Sequence, residues 1–242
     1  MSASSHAYSD RCASVSVTPR RFIAISAVVS SCSSVNASRR VPFHQLVKDG
    51  TYFGAKIRAG TTLGPDCRVG GEVEASILHG YTNKYHEGFL GHSYVGEWVN
   101  LGAGTHNSDL RNDYGEVTIT VRGQPVRTGC NKVGCFVGDH TKTGLGTLLN
   151  TGTNVGAFCN LLPAGRFAPK YVPSFTSWWN GSLREAFTLE QLLTTAEIAM
   201  QRRGVTLTDA HKGLYAWLQG DTAAERRRVL RENEQRQLRK SA

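Results

Sequence analysis

The chain has 242 residues, 40% of them hydrophobic, and a net charge of +9. That is enough apolar material for one large domain or two small ones, and no apolar run approaches the roughly 20 residues of a membrane span. Much of the basic excess lies near the ends, at Arg20, Arg21, Arg39 and Arg40 and again from Arg226 to Lys240, so the middle lacks the basic, aromatic-interleaved stripe of a nucleic-acid surface. The six cysteines, Cys12, Cys32, Cys67, Cys130, Cys135 and Cys159, form no CxxC pair. They read as small buried thiols of a reduced, cytoplasmic protein rather than a metal or disulfide framework, and no metal is expected.

Residues 1–45 stand apart. Twelve of the first forty are Ser and only Asp10 is acidic. This composition predicts a poorly ordered extension without a structural role. Arg20-Arg21 followed by Phe22 to Val29, ahead of Cys32, has an export-like outline, but the apolar segment is short and starts late.

Residues 46–175 carry a different signal. Aliphatic or small residues recur every six positions at Ile57, Leu63, Val69 and Ala75, and again at Val137, Thr143, Leu149, Val155 and Leu161. Leu90, Val95 and Leu101 bridge the two runs, and Gly follows many of these positions. A six-residue period fits neither an α-helix nor an alternating strand. It predicts a hexapeptide solenoid, a left-handed parallel β-helix with three flat faces per coil and one inward aliphatic residue per face. Neighbouring coils then bury what one coil cannot. Regularity lapses at 112–131. There Glu116 to Val121 alternates, Arg122-Gly123-Gln124-Pro125 reads as a turn, and Val126 to Thr128 returns, which predicts a β-hairpin leaving one corner. Residues 176–242 turn helical. Thr188 with Gln191 makes a capping box before Leu189, Leu192, Leu193 and Ala196, a second helix is expected over Leu207 to Leu218, and Thr222 with Glu225 is expected to cap a third. These helices are expected to cover the open end of the solenoid. Trp178-Trp179 reads as packing at the junction.

The densest motif runs from His86 to Thr105. His86 is followed by Phe89-Leu90-Gly91 and then by Val99-Asn100-Leu101-Gly102-Ala103-Gly104-Thr105, with Asn131-Lys132 and Val137-Gly138-Asp139 further on. Over roughly residues 55–165 the chain resembles the acetyltransferase half of the bifunctional N-acetylglucosamine-1-phosphate uridyltransferase/glucosamine-1-phosphate N-acetyltransferase, and related sugar-nucleotidyltransferase-like proteins with a solenoid tail. The resemblance implies transfer of an acyl group, acetyl first, from acetyl-CoA as co-substrate to an amino sugar, sugar phosphate or nucleotide sugar. It implies a homotrimer with the acyl-CoA cleft between subunits; the charge distribution and the absence of a long apolar run lead us to expect no nucleic-acid or membrane partner. His86 falls on the catalytic base and Glu74 on the carboxylate that supports it. Asn100, Lys132 and Phe89 fall on substrate-binding positions, and Gly144 and Leu162 on the path of the cofactor.

The chemistry calls for such groups. Acyl transfer to an amine needs a base near neutral pH, which histidine supplies, and a donor for the thioester oxyanion. A lysine suits a phosphate. The family's Tyr is Phe89 here, a substrate-binding Lys is Ser76, and Thr105 is followed by His106-Asn107-Ser108-Asp109 in place of Asn-Tyr. These departures bear on the acceptor. The chain has no Gly-rich nucleoside-triphosphate loop, so bifunctional activity is not expected. Two other readings are a non-catalytic oligomerisation module of a nucleotidyltransferase-like protein, and a zinc hydratase using histidines such as His79, His92, His106 and His140.

Overall fold

The computed structural model describes residues 55–163 and 165–241. The proposed extension of 1–45 lies outside them. The chain winds into a parallel β-solenoid with three faces. The first face carries β1 (Lys56–Ile57), β4 (Glu72–Glu74), β7 (Phe89–Gly91), β9 (His106–Asn107) and β14 (Leu148–Leu149). The second is one continuous sheet of β2 (Thr62–Leu63), β5 (Ile77–Leu78), β8 (Tyr94–Val95), β12 (Phe136–Val137), β15 (Asn154–Val155) and β17 (Tyr171–Val172). The third carries β3 (Arg68–Val69), β6 (Asn83–Lys84), β13 (Lys142–Thr143), β16 (Asn160–Leu162) and β18 (Thr176–Trp179).

The core is the predicted column of inward residues. Val69, Leu78, Leu90, Val95, Leu101, Val137, Leu149, Val155, Leu161 and Val172 are buried there. Ala75 is an exception. It sits at a corner with φ +44°, and the inward residue of that strand is Val73, fully buried. The Gly70-Gly71 turn is tighter than a full hexad, so the period slips by two. Continued from Leu78 and Leu101, the same period lands on Lys84 and Asn107. Both are buried inward positions, at 2% and 5% exposure.

The excursion is a hairpin of β10 (Thr118–Val121) and β11 (Gln124–Arg127), paired antiparallel. Its turn is shorter than the sequence suggested. Arg122 and Gly123 alone reverse the chain, both with positive φ, which suits a two-residue hairpin loop, and Gln124 and Pro125 already belong to the strand. At the far end, β18 pairs antiparallel with β19 (Ser182–Glu185). Trp178 packs into the core while Trp179 faces outward.

Three helices follow: α1 (Leu189–Gln201), α2 (Asp209–Asp221) and α3 (Ala223–Ser241). Thr188 and Gln191 form the expected capping box, and Thr208 with His211 forms another. Thr222 does not cap α3. Its hydroxyl turns back to donate to the Leu218 carbonyl at 2.8 Å, as the C-terminal cap of α2. Nor do α1 and α2 close an open end. They lie along the corner between the second and third faces.

That corner explains their place. Each coil turns there on a left-handed residue: Asp66, Tyr81, Trp98, His140, Phe158 and Phe175. Such a backbone costs a non-glycine residue about 1–3 kcal/mol. Here five of the six side chains are rings stacked into a ladder, with Tyr81 on Trp98 at 4.0 Å, His140 on Phe158 at 4.7 Å and Phe158 on Phe175 at 5.1 Å. Aromatic pairs contribute about 0.5–1.5 kcal/mol beyond their buried area, which offsets part of the strain. Ala196 and Met200 of α1, Leu207 just ahead of α2 and Tyr215 of α2 seal the ladder from water.

Candidate functional site

The outer side of the first face and its two edges hold most of the residues singled out above. β7 presents Phe89 outward and buries Leu90. The Phe89 amide donates to Nδ1 of His106 on the next coil at 3.1 Å. A cleft of about 290 Å³ opens here, lined by Lys56, Glu72, Glu87, Gly88, Phe89 and His106. His86 immediately precedes Glu87 at the corner feeding β7. Its side chain is exposed, and its ring meets Tyr85 edge-on at 5.4 Å.

Along the same edge, successive coils bring Gly102 against the backbone of Thr143 and Gly144, and Gly144 against Leu162. The structure therefore places His86, Gly144 and Leu162 on one edge. Asn100 lies on the adjoining third face. Its side-chain oxygen accepts from Asn83 at 2.6 Å, and its strand neighbour on the other side is Lys142. This is an outward ladder of polar side chains.

Glu74 and Lys132 are elsewhere. The register pairs Glu72 with Phe89 and Glu74 with Gly91, so Glu74 sits at the opposite edge, where its carbonyl accepts from the His92 amide at 3.0 Å. The expected Glu74–His86 pair is not formed, because the strand between them spans the width of the face. Lys132 lies beyond the hairpin, in an isolated bridge to Leu110, on that same far edge.

What the far edge does contain is a hydrogen-bonded histidine–carboxylate pair. Nδ1 of His92 and Oδ2 of Asp109 are 2.7 Å apart, and both side chains are largely buried. The His92 hydrogen bond, with the charge of Lys132, holds the Asp109 carboxyl below the usual carboxylate range. Gly91 permits this approach: a methyl group there would meet the Phe89 ring at 2.4 Å and the Asp109 carboxylate at 2.7 Å. An imidazole oriented by a carboxylate is the arrangement general bases use. Sequence reasoning noted His92 and Asp109 separately. Their pairing across 17 positions needs the coil register to be seen.

His140 is not placed to act as a base or a ligand. It is buried in the ring ladder, bonded to Tyr215 at 3.0 Å, and burial pushes its pKa down to about 3. It stays neutral and sealed under α2. Cys67, Cys130, Cys135 and Cys159 are buried, as expected, and burial lifts the Cys135 thiol to about 11. Among the described residues no group of three His, Cys, Asp or Glu could hold a metal ion, and no helix is long and apolar enough to cross a membrane.

Lys84 was missed outright. Its Nζ donates to the carbonyls of Gly70 at 2.9 Å and His86 at 2.6 Å. Burial lowers its pKa to about 8. Between that value and about 10.5 the unfolded chain keeps a proton the native protein has released, so this group makes stability rise with pH across that window. The rise has an upper bound of about 3 kcal/mol. Melting curves from pH 7 to 10.5 should show it in the wild type and lose it in Lys84→Met; parallel curves would refute it.

No family model matches the chain. Among curated proteins it is 31% identical over 133 residues to a bifunctional sugar-1-phosphate nucleotidylyltransferase/acetyltransferase of Sulfurisphaera tokodaii, covering 48% of this chain and 33% of that one. It is 35% identical over 105 residues to the bifunctional protein GlmU of Methanococcus vannielii, covering 43% and 25%. The chain is a hexapeptide-repeat β-solenoid related to the GlmU proteins. It spans only a third to a quarter of the length of these relatives. Among solved structures, the acetyltransferase domain of PglB from Neisseria gonorrhoeae, in complex with acetyl coenzyme A, covers 56% of each chain at 14% identity and a TM-score of 0.43, a likeness too loose to bear on the site. In this GlmU-related solenoid the motif from His86 to Thr105 thus forms one full coil, from the corner before β7, through β7, β8 and the Asn100 bridge of the third face, to the corner before β9.

Proposed function

We propose that the chain transfers an acetyl group from acetyl-CoA to the amine of an amino sugar carried as a phosphate or nucleotide sugar. The observation that carries this is the relation to sugar-1-phosphate nucleotidylyltransferase/acetyltransferases across nearly half of the chain. In this reading the amine is deprotonated as it attacks the thioester carbonyl, and coenzyme A leaves as the thiol. His86 is the base, beside a cleft whose Lys56 suits a phosphate as a point charge. Asn100, Phe89 and Lys132 serve the acceptor, and Gly144 and Leu162 the coenzyme. A specific observation favours a second assignment of the base: His92 is held by Asp109, whereas among the described residues no side chain hydrogen-bonds His86.

The two groups of residues lie on opposite edges of the first face. A homotrimer would join one edge to the other across a subunit boundary, because closed cyclic assembly sets unlike surfaces of neighbouring chains together. Light scattering should give three copies per particle at micromolar concentration, and a monomer throughout that range would refute the shared cleft. The reaction itself is tested by release of coenzyme A thiol over a panel of amino sugars, their 1-phosphates and nucleotide amino sugars. Failure of every acceptor, together with no stabilisation by acetyl-CoA in thermal shift, would leave the non-catalytic module as the reading.

A further inference from the structure

We propose that Lys84 is a positioning residue: from inside the solenoid it holds the corner that presents His86. The inference rests on the reading of His86 as the base. Every other inward position that aligns with it on the third face is apolar or a small hydroxyl: Val69, Leu101, Thr143, Leu161 and Trp178. Only the coil that leads into His86 has a lysine there. Among the described residues it is the one lysine buried in the core.

Its reach is specific. Both carbonyls that Nζ contacts, Gly70 and His86, belong to the corner between the third and first faces. An ammonium is a compact donor with three N–H groups, so one side chain can bind a carbonyl on each of two successive coils. This ties the His86 peptide to the coil before it. The coil after it holds the same corner from the other side. The Gly104 amide donates to the Glu87 carbonyl at 3.0 Å, and Gly88 is pressed against Thr105, so closely that a methyl group there would lie 2.1 Å from the Thr105 oxygen. With no hydrogen bond to its ring among the described residues, His86 takes its direction from these backbone restraints.

A lysine is a poor choice for stability alone. Replacing a buried charged group by a well-packed apolar one of similar size is often neutral or stabilising. Its presence at this one coil, bonded to the peptide that bears the motif histidine, points to geometry as its role.

The test compares full-length wild type with Lys84→Met and Lys84→Leu. Ring signals of His86 are assigned in NMR spectra by their loss in His86→Ala, and kcat and KM are measured for acetyl-CoA. Expected are folded variants whose His86 signals move, whose kcat falls by roughly 10–100-fold, as a displacement near 1 Å can produce, and whose KM for acetyl-CoA stays within about twofold. Unmoved His86 signals with full kcat would overturn the proposal. So would variants that fail to fold, which would assign Lys84 to the stability of the core. A wild type without transferase activity would refute the proposed reaction alone, since the displacement of His86 is read without turnover.

Discussion

His86→Ala should lower acetyl transfer by about 10²–10⁴-fold, the usual loss when a general base is removed, while the protein stays folded. The side chain is exposed and makes no hydrogen bond in the described structure, so its removal leaves no buried group unpaired. His92→Asn and Asp109→Asn are the necessary companions. His92 is the imidazole with a carboxylate partner, and an oriented base is the more common design. If His86→Ala retains turnover while both companions lose it, proton removal belongs to the far edge of the first face. If only His86→Ala loses it, the motif was the better guide. Thiol release with acetyl-CoA and a responsive acceptor, beside circular dichroism of each variant, separates these results from unfolding.

Gly88→Ala should be the most damaging change of a single methyl group near the site. Its φ of +138° is nearly reserved for glycine, and the added carbon would sit 2.1 Å from the Thr105 carbonyl oxygen. Strain of that backbone costs about 1–3 kcal/mol, and forcing an extra carbon into packed structure typically costs about 1–3 kcal/mol more. Gly146→Ala is the control. It also has positive φ, at +66°, but nothing lies within 4 Å of the added carbon, so only the backbone cost applies. The melting temperature of Gly88→Ala should fall clearly below that of Gly146→Ala. Equal melting points would show that the corner is freer than its contacts indicate.

Much of the solenoid was readable because one physical rule, an apolar residue every six, is written directly in Leu63, Leu149, Val155 and Leu161. The rule conceals residues that break its chemistry while keeping its spacing. Lys84 and Asn107 occupy inward positions the period reaches, yet their polarity hides them from a count of aliphatic residues. The helices were legible from the caps at Thr188 and Gln191, but their placement was not. It depends on Tyr81, Trp98, His140, Phe158 and Phe175 coming into line, and their irregular spacing carries no period. The site was legible as a motif around His86 and opaque as geometry. Glu74 and His86 look close in sequence, and only the register of β4 on β7 shows that a strand separates them.

The ring ladder also bears on how the molecule comes apart. In a bare solenoid each coil touches only its neighbours, so the ends can fray while the middle persists. Here Arg203, just beyond α1, donates to the Asp66 carbonyl in the first described coil at 3.3 Å, and Arg226 of α3 lies over the Phe175 ring in the last, at 5.7 Å. Between them α1 and α2 grip rings from Tyr81 to Phe175. The helices act as a splint fastened at both ends of the fracture line. Loosening one coil pulls on a rod bound to the others, so the stack of weakly linked rungs is expected to melt in one step.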